Sequence, residues 1–228
     1  GAGGLILPRI ADDERLAAIS PLLESGVPVV AGTLGALRVA VGAGATAEAD
    51  LWLNCANGEA AEALAGLGAA WVWASPELSI EQLAATVARC PVPVGVHAFG
   101  PLEVMVADIC PISGAGLCVP ECAKCRQREA GWALVDDKGY AFPVLTDADG
   151  RAHIFNSRTH DLSRNLDELM RAGVAAIRVD LRFEPSHKRA SIVREFKERL
   201  VSAVAGRRKP DRPIALEQTS GHLFRGMR

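Results

Sequence analysis

Through residues 1–100, short runs of apolar residues alternate with alanine-rich amphipathic stretches, with a repeat of about 20–24 residues. The runs at Leu5–Leu7, Val27–Ala31, Asp50–Leu53, Ala70–Trp73 and Val92–Val96 predict strands. The stretches between them, Asp12–Leu23, Leu34–Val41, Glu59–Leu67 and Ile80–Arg89, predict helices. Ser79 and Gln82 form a capping-box pair at the start of the last helix. Strands that are apolar throughout are covered on both faces, and helices between them imply parallel pairing. A single-spaced βα repeat without a long return crossover favours a parallel (β/α) TIM-type barrel over a doubly wound sheet.

After Gly100 the rhythm changes. Runs at Trp132–Val135, Ala141–Leu145 and His153–Phe155 are divided by the turn sequences Asp137-Lys138-Gly139 and Asp147-Ala148-Asp149-Gly150. They predict a small antiparallel meander. The βα theme resumes with helix Asp161–Arg171, strand Ala175–Val179 and helix Ser186–Ala205. Three regions result: βα repeats over 1–109, a cysteine loop and meander over 110–160, and final βα units with a basic tail over 161–228. Six strands of barrel type are present, seven with the tail, whereas a closed barrel needs eight. The chain also opens at Gly-Ala-Gly-Gly without a methionine. The expectation is a barrel incomplete at its amino end, completed by a longer gene product or by a homo- or hetero-oligomeric partner.

Cysteine distribution adds chemistry to this frame. Four of the six cysteines, Cys110, Cys118, Cys122 and Cys125, fall within residues 110–125 with the spacing C-x7-C-x3-C-x2-C. A chain of 228 residues buries roughly 70–75% of its unfolded surface, so it needs no disulfide knot. Four bare thiolates in one loop repel one another, so a metal centre is needed to hold them together. Zinc ribbons use two tight pairs, and only Cys122 and Cys125 form one here, which favours iron–sulfur over structural zinc. Cys118-x3-Cys122-x2-Cys125 also matches the motif of radical S-adenosylmethionine enzymes. It follows some five strands rather than the first, however, and Cys110 would occupy the iron that such enzymes leave open. Cys55 and Cys90 lie singly in apolar segments and read as small core residues.

The net charge of −2 provides no global basic field for nucleic acid. Apolar runs are strand-sized, so no membrane span is expected, and clustered thiols fit a reducing cytoplasmic location. On a parallel barrel the reactive end is the carboxy-terminal rim of the strands. Arg9, Asn54, Asn57, Glu77, His97, Arg178 and Asp180 fall there, with His222 in the tail. Each has a bland alternative. Glu77 suits a helix start, and His97 points into either the mouth or the core. Arg178 and Asp180 share one strand face, as a salt bridge or an anion clamp. Arg207, Arg208, Lys209, Arg212, Arg225 and Arg228 form a basic tail that contacts phosphate or simply stays solvated.

The order of the motifs LILPRI, AGTLGAL, LWLNCANGEA, SPELS, VHAFGPLEVMVADICP, DDKGYAFPVL, HIFNS, GVAAIRVDLRFEP and TSGHLFRGM resembles the collagenase-like peptidase family, the thirty-second family of unassigned mechanism. The likeness covers nearly the whole chain and corresponds to the carboxy-terminal two-thirds of the family. It implies a barrel with a [4Fe–4S] cluster on Cys110, Cys118, Cys122 and Cys125. It further implies oxygen-independent hydroxylation of RNA or a ubiquinone precursor, with peptidase activity as the family name suggests, or a scaffold role with a structural metal, as alternatives. Ser163 stands near the place where some relatives carry a fourth cysteine ligand, and Cys118 is available to complete the set. Arg178 would hold an anionic group of an RNA or small-molecule substrate, and His97 or Glu77 would move protons, with Asp180 beside them.

Overall fold

The first hundred residues fold as the periodicity predicts because each apolar run can pair only with a neighbour delivered by a helix. Strand β1 (Leu5–Ile6), helix α1 (Asp13–Leu23), β2 (Val29–Ala31), α2 (Leu34–Gly42), β3 (Ala47–Ala49), α3 (Gly58–Gly66), β4 (Trp71–Trp73), α4 (Ile80–Arg89) and β5 (Val94–Gly100) follow in strict alternation. The computed structural model describes residues 4–10, 13–116, 118, 121–206 and 218–224. Polar side chains set the helix starts. Thr33 Oγ1 accepts from the Ala36 amide, Asn57 Oδ1 from the Ala60 amide, and Ser79 with Gln82 closes a full capping box. Such caps contribute about 1 kcal/mol each.

After β5 the chain forms β6 (Glu103–Ala107), α5 (Pro111–Gly114), β7 (Ala133–Val135), β8 (Ala141–Thr146), β9 (Ala152–Phe155) and β10 (Thr159–Asp161). It then forms α6 (Leu166–Arg171), β11 (Ala176–Val179), α7 (Ser186–Val204) and β12 (Gln218–Thr219). The main sheet is mostly parallel: β1 to β5 pair in sequence order, and β11 continues in parallel beside β5. At the far end of β5, β10 pairs antiparallel, with Asp161 opposite Phe99 and His160 opposite Gly100. β12 lies parallel to β10. A second, antiparallel sheet has the order β6-β9-β8-β7. Two apolar clusters fill the interior, one under β1–β4 and one between β5 and helices α4, α6 and α7.

The parallel α/β sheet stands, without barrel closure, and three other expectations change. The sheet is open: among the described residues β1 pairs only with β2 and β11 only with β5, so no closed ring forms. Six parallel strands are too few to close one. The expected strand at Asp50–Leu53 is instead a 3-10 turn over Leu51–Leu53, and the strand lies earlier at Ala47–Ala49. The Asp50 amide bonds the Ala31 carbonyl and ends the pairing, and Asn54 turns the chain with a positive φ of 52°. The helix expected from Asp161 begins at Leu166, because Thr159–Asp161 is drawn into the sheet as β10. The meander also gains a fourth strand, β6, alongside β9. The basic tail at Arg207, Arg208, Lys209, Arg212, Arg225 and Arg228 lies outside the described residues.

Two glycines matter for the rim. A Cβ at Gly95 would stand 2.6 Å from a Trp73 ring carbon, so β5 must present a bare backbone to that indole. Gly100 has φ of 118°, and a Cβ there would meet the Asp180 carbonyl oxygen at 2.3 Å. Only glycine fits where the chain leaves β5 for the meander.

Candidate functional site

The carboxy-terminal ends of β1, β3, β5 and β11 surround a cleft of about 480 Å³. Arg9 follows β1, Asp50 follows β3, and His97 and Arg178 come from β5 and β11. Glu103, His153 and Phe155 of the meander form the facing wall. A second cleft of about 590 Å³ adjoins the first and shares Arg9, Trp52 and Glu103 with it. Its outer end holds Asn54, Glu77 and His222. The structure thus brings Arg9, His97, Arg178 and Asp180 to one cleft, with Glu77, Asn54 and His222 at the adjoining one. Asn57 is used as the α3 cap.

Two arginines in the cleft are laid flat on tryptophan faces. The Arg9 guanidinium lies 4.1 Å from the centre of the Trp52 ring, and Arg178 lies 4.1 Å from that of Trp73. Arg178 donates to Asp50 Oδ1 at 2.5 Å, and Arg9 ion-pairs with Glu103. The Trp73 indole donates in turn to Glu48 at 2.7 Å. Both recipient carboxylates, Asp50 and Glu103, are buried to 5% and 8% side-chain exposure. Of the two arrangements expected for Arg178 and Asp180, the salt bridge between them is not formed. Asp180 pairs with Arg182 at 2.8 Å, while the Arg178 side chain crosses to β3.

Glu103 also accepts from His153, whose Nδ1 is 3.0 Å away, and the other ring nitrogen lies 3.5 Å from Asp147. The Glu103 hydrogen bond holds the His153 imidazole above its usual range; burial opposes it, and the Glu103 and Asp147 charges add to it. His97 behaves in the opposite way. It is 4% exposed, and burial pushes its pKa down to about 3, with His160, Arg178 and Arg182 adding repulsion. His97 is therefore neutral at physiological pH. Glu77 is exposed and its amide bonds Ser75 Oγ at 3.4 Å.

The four clustered cysteines lie at the far end of the meander, and none lines either cleft. Glu103 faces the cleft and β6 leads away from it, so Ala107 is already about 13 Å distant at ~3.3 Å per residue. Cys110 Sγ is 3.8 Å from Thr146 Oγ1, and a Cβ added at Gly150 would meet Cys122 Sγ at 2.8 Å. Cys110 and Cys122 thus flank one hairpin turn between β8 and β9. Cys125 is half-buried and Cys118 exposed. Among the described residues, no three His, Cys, Asp or Glu side chains stand close enough to hold one metal ion. In kind and number the donors suit an iron–sulfur cluster, and two of them meet the same hairpin. Cys55 is fully buried, and burial raises its thiol pKa to about 11, as expected of a core residue.

Asp50, Trp52, Trp73, Glu103, His153 and His160 are absent from the candidates read from sequence. Glu103 and His153 sit inside the quoted motifs VHAFGPLEVMVADICP and HIFNS, but nothing local showed that they face each other. No helix is long and apolar enough to cross a membrane among the described residues.

None of the curated proteins compared with the chain matches it. The family model described as peptidase family U32 matches residues 35–225, which include the β5 and β11 walls of the first cleft and all four clustered cysteines. The chain belongs to peptidase family U32.

Proposed function

We propose that this protein is an iron–sulfur modification enzyme that takes a flat, polar-edged ring into the rim cleft, as in hydroxylation of an RNA base or a quinone precursor. The observation that carries this reading is the pair of arginines stacked on Trp52 and Trp73 beside two buried carboxylates. Trp52 is half-buried, so a planar ring can lie beside it against the Arg9 guanidinium. Glu103 and Asp50 keep the two guanidinium planes fixed, so their outer N–H edges are oriented before a substrate arrives. The peptidase reading has less support, since the described lining of the cleft that holds both arginine–carboxylate pairs contains no serine, threonine or cysteine.

Cys110, Cys118, Cys122 and Cys125 would hold the cluster, which supplies one-electron transfer when bound. The polar path Asp147–His153–Glu103–Arg9 runs from the cysteine-bearing hairpin to the cleft. His153, held between two carboxylates, is placed to give or take a proton there. Replacing a ring C–H by C–OH with water as oxygen source releases two protons and two electrons. With an organic hydroxyl donor, the donor loses its oxygen and no net electrons leave.

Deletion of the gene, followed by mass spectrometry of modified nucleosides and quinone intermediates, tests the reading. Loss of one hydroxylated species, restored by the intact chain but not by an Arg9→Ala variant, supports it. Unchanged profiles together with peptide cleavage by the purified protein would favour the peptidase.

A further inference from the structure

Beside the rim cleft lies a small chamber of about 20 Å³ bordered by His97, His160, Ser75 and Ser220. His97 borders both spaces, so it forms the wall between them. The two imidazole rings are 5.8 Å apart, centre to centre, and tilted by 34°. Both residues are almost wholly buried, at 4% and 2% exposure. None of their four ring nitrogens has a hydrogen-bond partner among the described residues. The Gly100 and His97 carbonyls approach the His97 and His160 rings, favouring the charged forms slightly, but not in good bonding geometry.

Leaving a buried polar atom unpaired costs about 1–3 kcal/mol, so four such atoms in one place call for a ligand. Size and charge identify it. A water needs roughly 10–15 Å³ of such space and two to four polar partners, and the chamber offers both. A divalent cation fits poorly, because no carboxylate or thiolate borders the chamber and Arg178 and Arg182 already repel positive charge at His97. Gly221 fits the same picture, since a Cβ there would crowd His160 Nδ1 at 3.2 Å.

We propose that His97 and His160 share one ordered water in this chamber, and that His160 is thereby a positioning residue for His97. The water accepts from one imidazole and donates to the other, which fixes one tautomer of each neutral ring. His97 then presents a single defined edge and orientation to the cleft wall. The functional meaning of that edge rests on the cleft being the reacting site; the water and the tautomer do not.

The test is spectroscopic and needs no substrate. Nitrogen-15 spectra of the intact, histidine-labelled chain at pH 7 should show one dominant neutral tautomer for His97. His160→Gln, which keeps a donor and an acceptor, should preserve it, whereas His160→Phe should shift the His97 tautomer ratio by about fivefold, the value of one ordinary hydrogen bond. A crystal structure recorded around transition-metal absorption edges should show one peak between the rings without anomalous signal. An anomalous peak there, no peak at all, or the same His97 spectrum in His160→Phe as in the intact chain overturns the proposal. If His160→Phe does not fold, the crystal peak and the His160→Gln spectrum decide. Because neither reading depends on activity, their failure is separable from failure of the hydroxylase reading.

Discussion

Arg178 on β11 donates at 2.5 Å to Asp50, which lies 128 residues earlier in the chain, just after the third strand. The bond spans the mouth of the sheet and ties its later half to its earlier half. Replacing Asp50 with alanine leaves a largely buried guanidinium without its carboxylate. The expected loss is about 2–3 kcal/mol of folding free energy, somewhat below the roughly 3–5 kcal/mol of fully buried broken pairs because Arg178 keeps 21% side-chain exposure. Urea denaturation of Asp50→Ala against the unaltered chain measures it; a difference below about 0.5 kcal/mol would remove the pair from the account.

Gly95→Ala places a methyl group into the Trp73 ring, which is held by Glu48 on one side and by Arg178 over its face. The ring cannot retreat without losing both. A cost of about 1–3 kcal/mol is expected, accompanied by a shift in tryptophan fluorescence. Gly35→Ala, in open space on a helix, should be neutral or slightly stabilising by comparison.

Acid should destabilise the fold through the buried histidines. His97 and His160 have folded values near 3 and 4 against about 6.5 unfolded. Between those limits the unfolded chain binds two protons that the folded chain refuses, so stability falls as pH falls from about 6.5 toward 4. At pH 5 the two groups together remove about 4 kcal/mol of the stability present at pH 8. His153 has the opposite sign: its contribution is complete below about 6.5 and fades as pH rises through its elevated value. Urea midpoints from pH 8 to 4.5 should show a net decline, roughly halved in slope by His160→Phe. A flat profile would contradict the burial of neutral imidazoles.

Anaerobically purified protein should contain iron and sulfide with a broad visible absorbance. Cys122→Ala should lose most of both while the parallel sheet remains folded by circular dichroism. Stoichiometric zinc without iron would instead make the cysteine loop a structural module.

Light scattering should return a mass above the 24.0 kDa of one chain. The expectation rests on β1 and β11, each paired on one side among the described residues, and on apolar Ile6 and Ile10 exposed to 68% and 42%. A concentration-independent monomer would show that these edges stand alone in water.

Local chemistry was the legible part of the sequence. The capping box at Ser79 and the spans of α1–α4 depend on residues within one turn of each other, and all appear within two residues of their expected positions. Misplacing the third strand has a local cause as well. Leu51-Trp52-Leu53 is more β-like by composition than Ala47-Glu48-Ala49, yet the latter pairs with β2 and β4 because small residues fit under the helices. The site was harder. Arg9 with Glu103 and Glu103 with His153 are separated by 94 and 50 residues, and neither neighbourhood carries a sign of the other. Arg178 and Asp180 looked like partners because strand alternation puts them on one face, and only the pairing of β5 with β11 decides where that arginine reaches.

The meander leaves the main sheet at Gly100 and rejoins it at His160, the residue that pairs with Gly100. Entrance and exit are therefore adjacent, about 5 Å apart, while β5 continues its pairing with β11 on the other side. The arm from 101 to 158 is thus a side branch on a closed stem. Its length is free to vary at little cost to the trunk, since each doubling of a closed loop adds only about 0.6 kcal/mol. Besides that stem, the arm is tied to the trunk by side chains: Arg9 with Glu103, Arg15 with Asp149, and Phe155 against Phe183. If its thiols hold the proposed cluster, loading it is a matter for this arm, since the cysteines line neither cleft of the trunk.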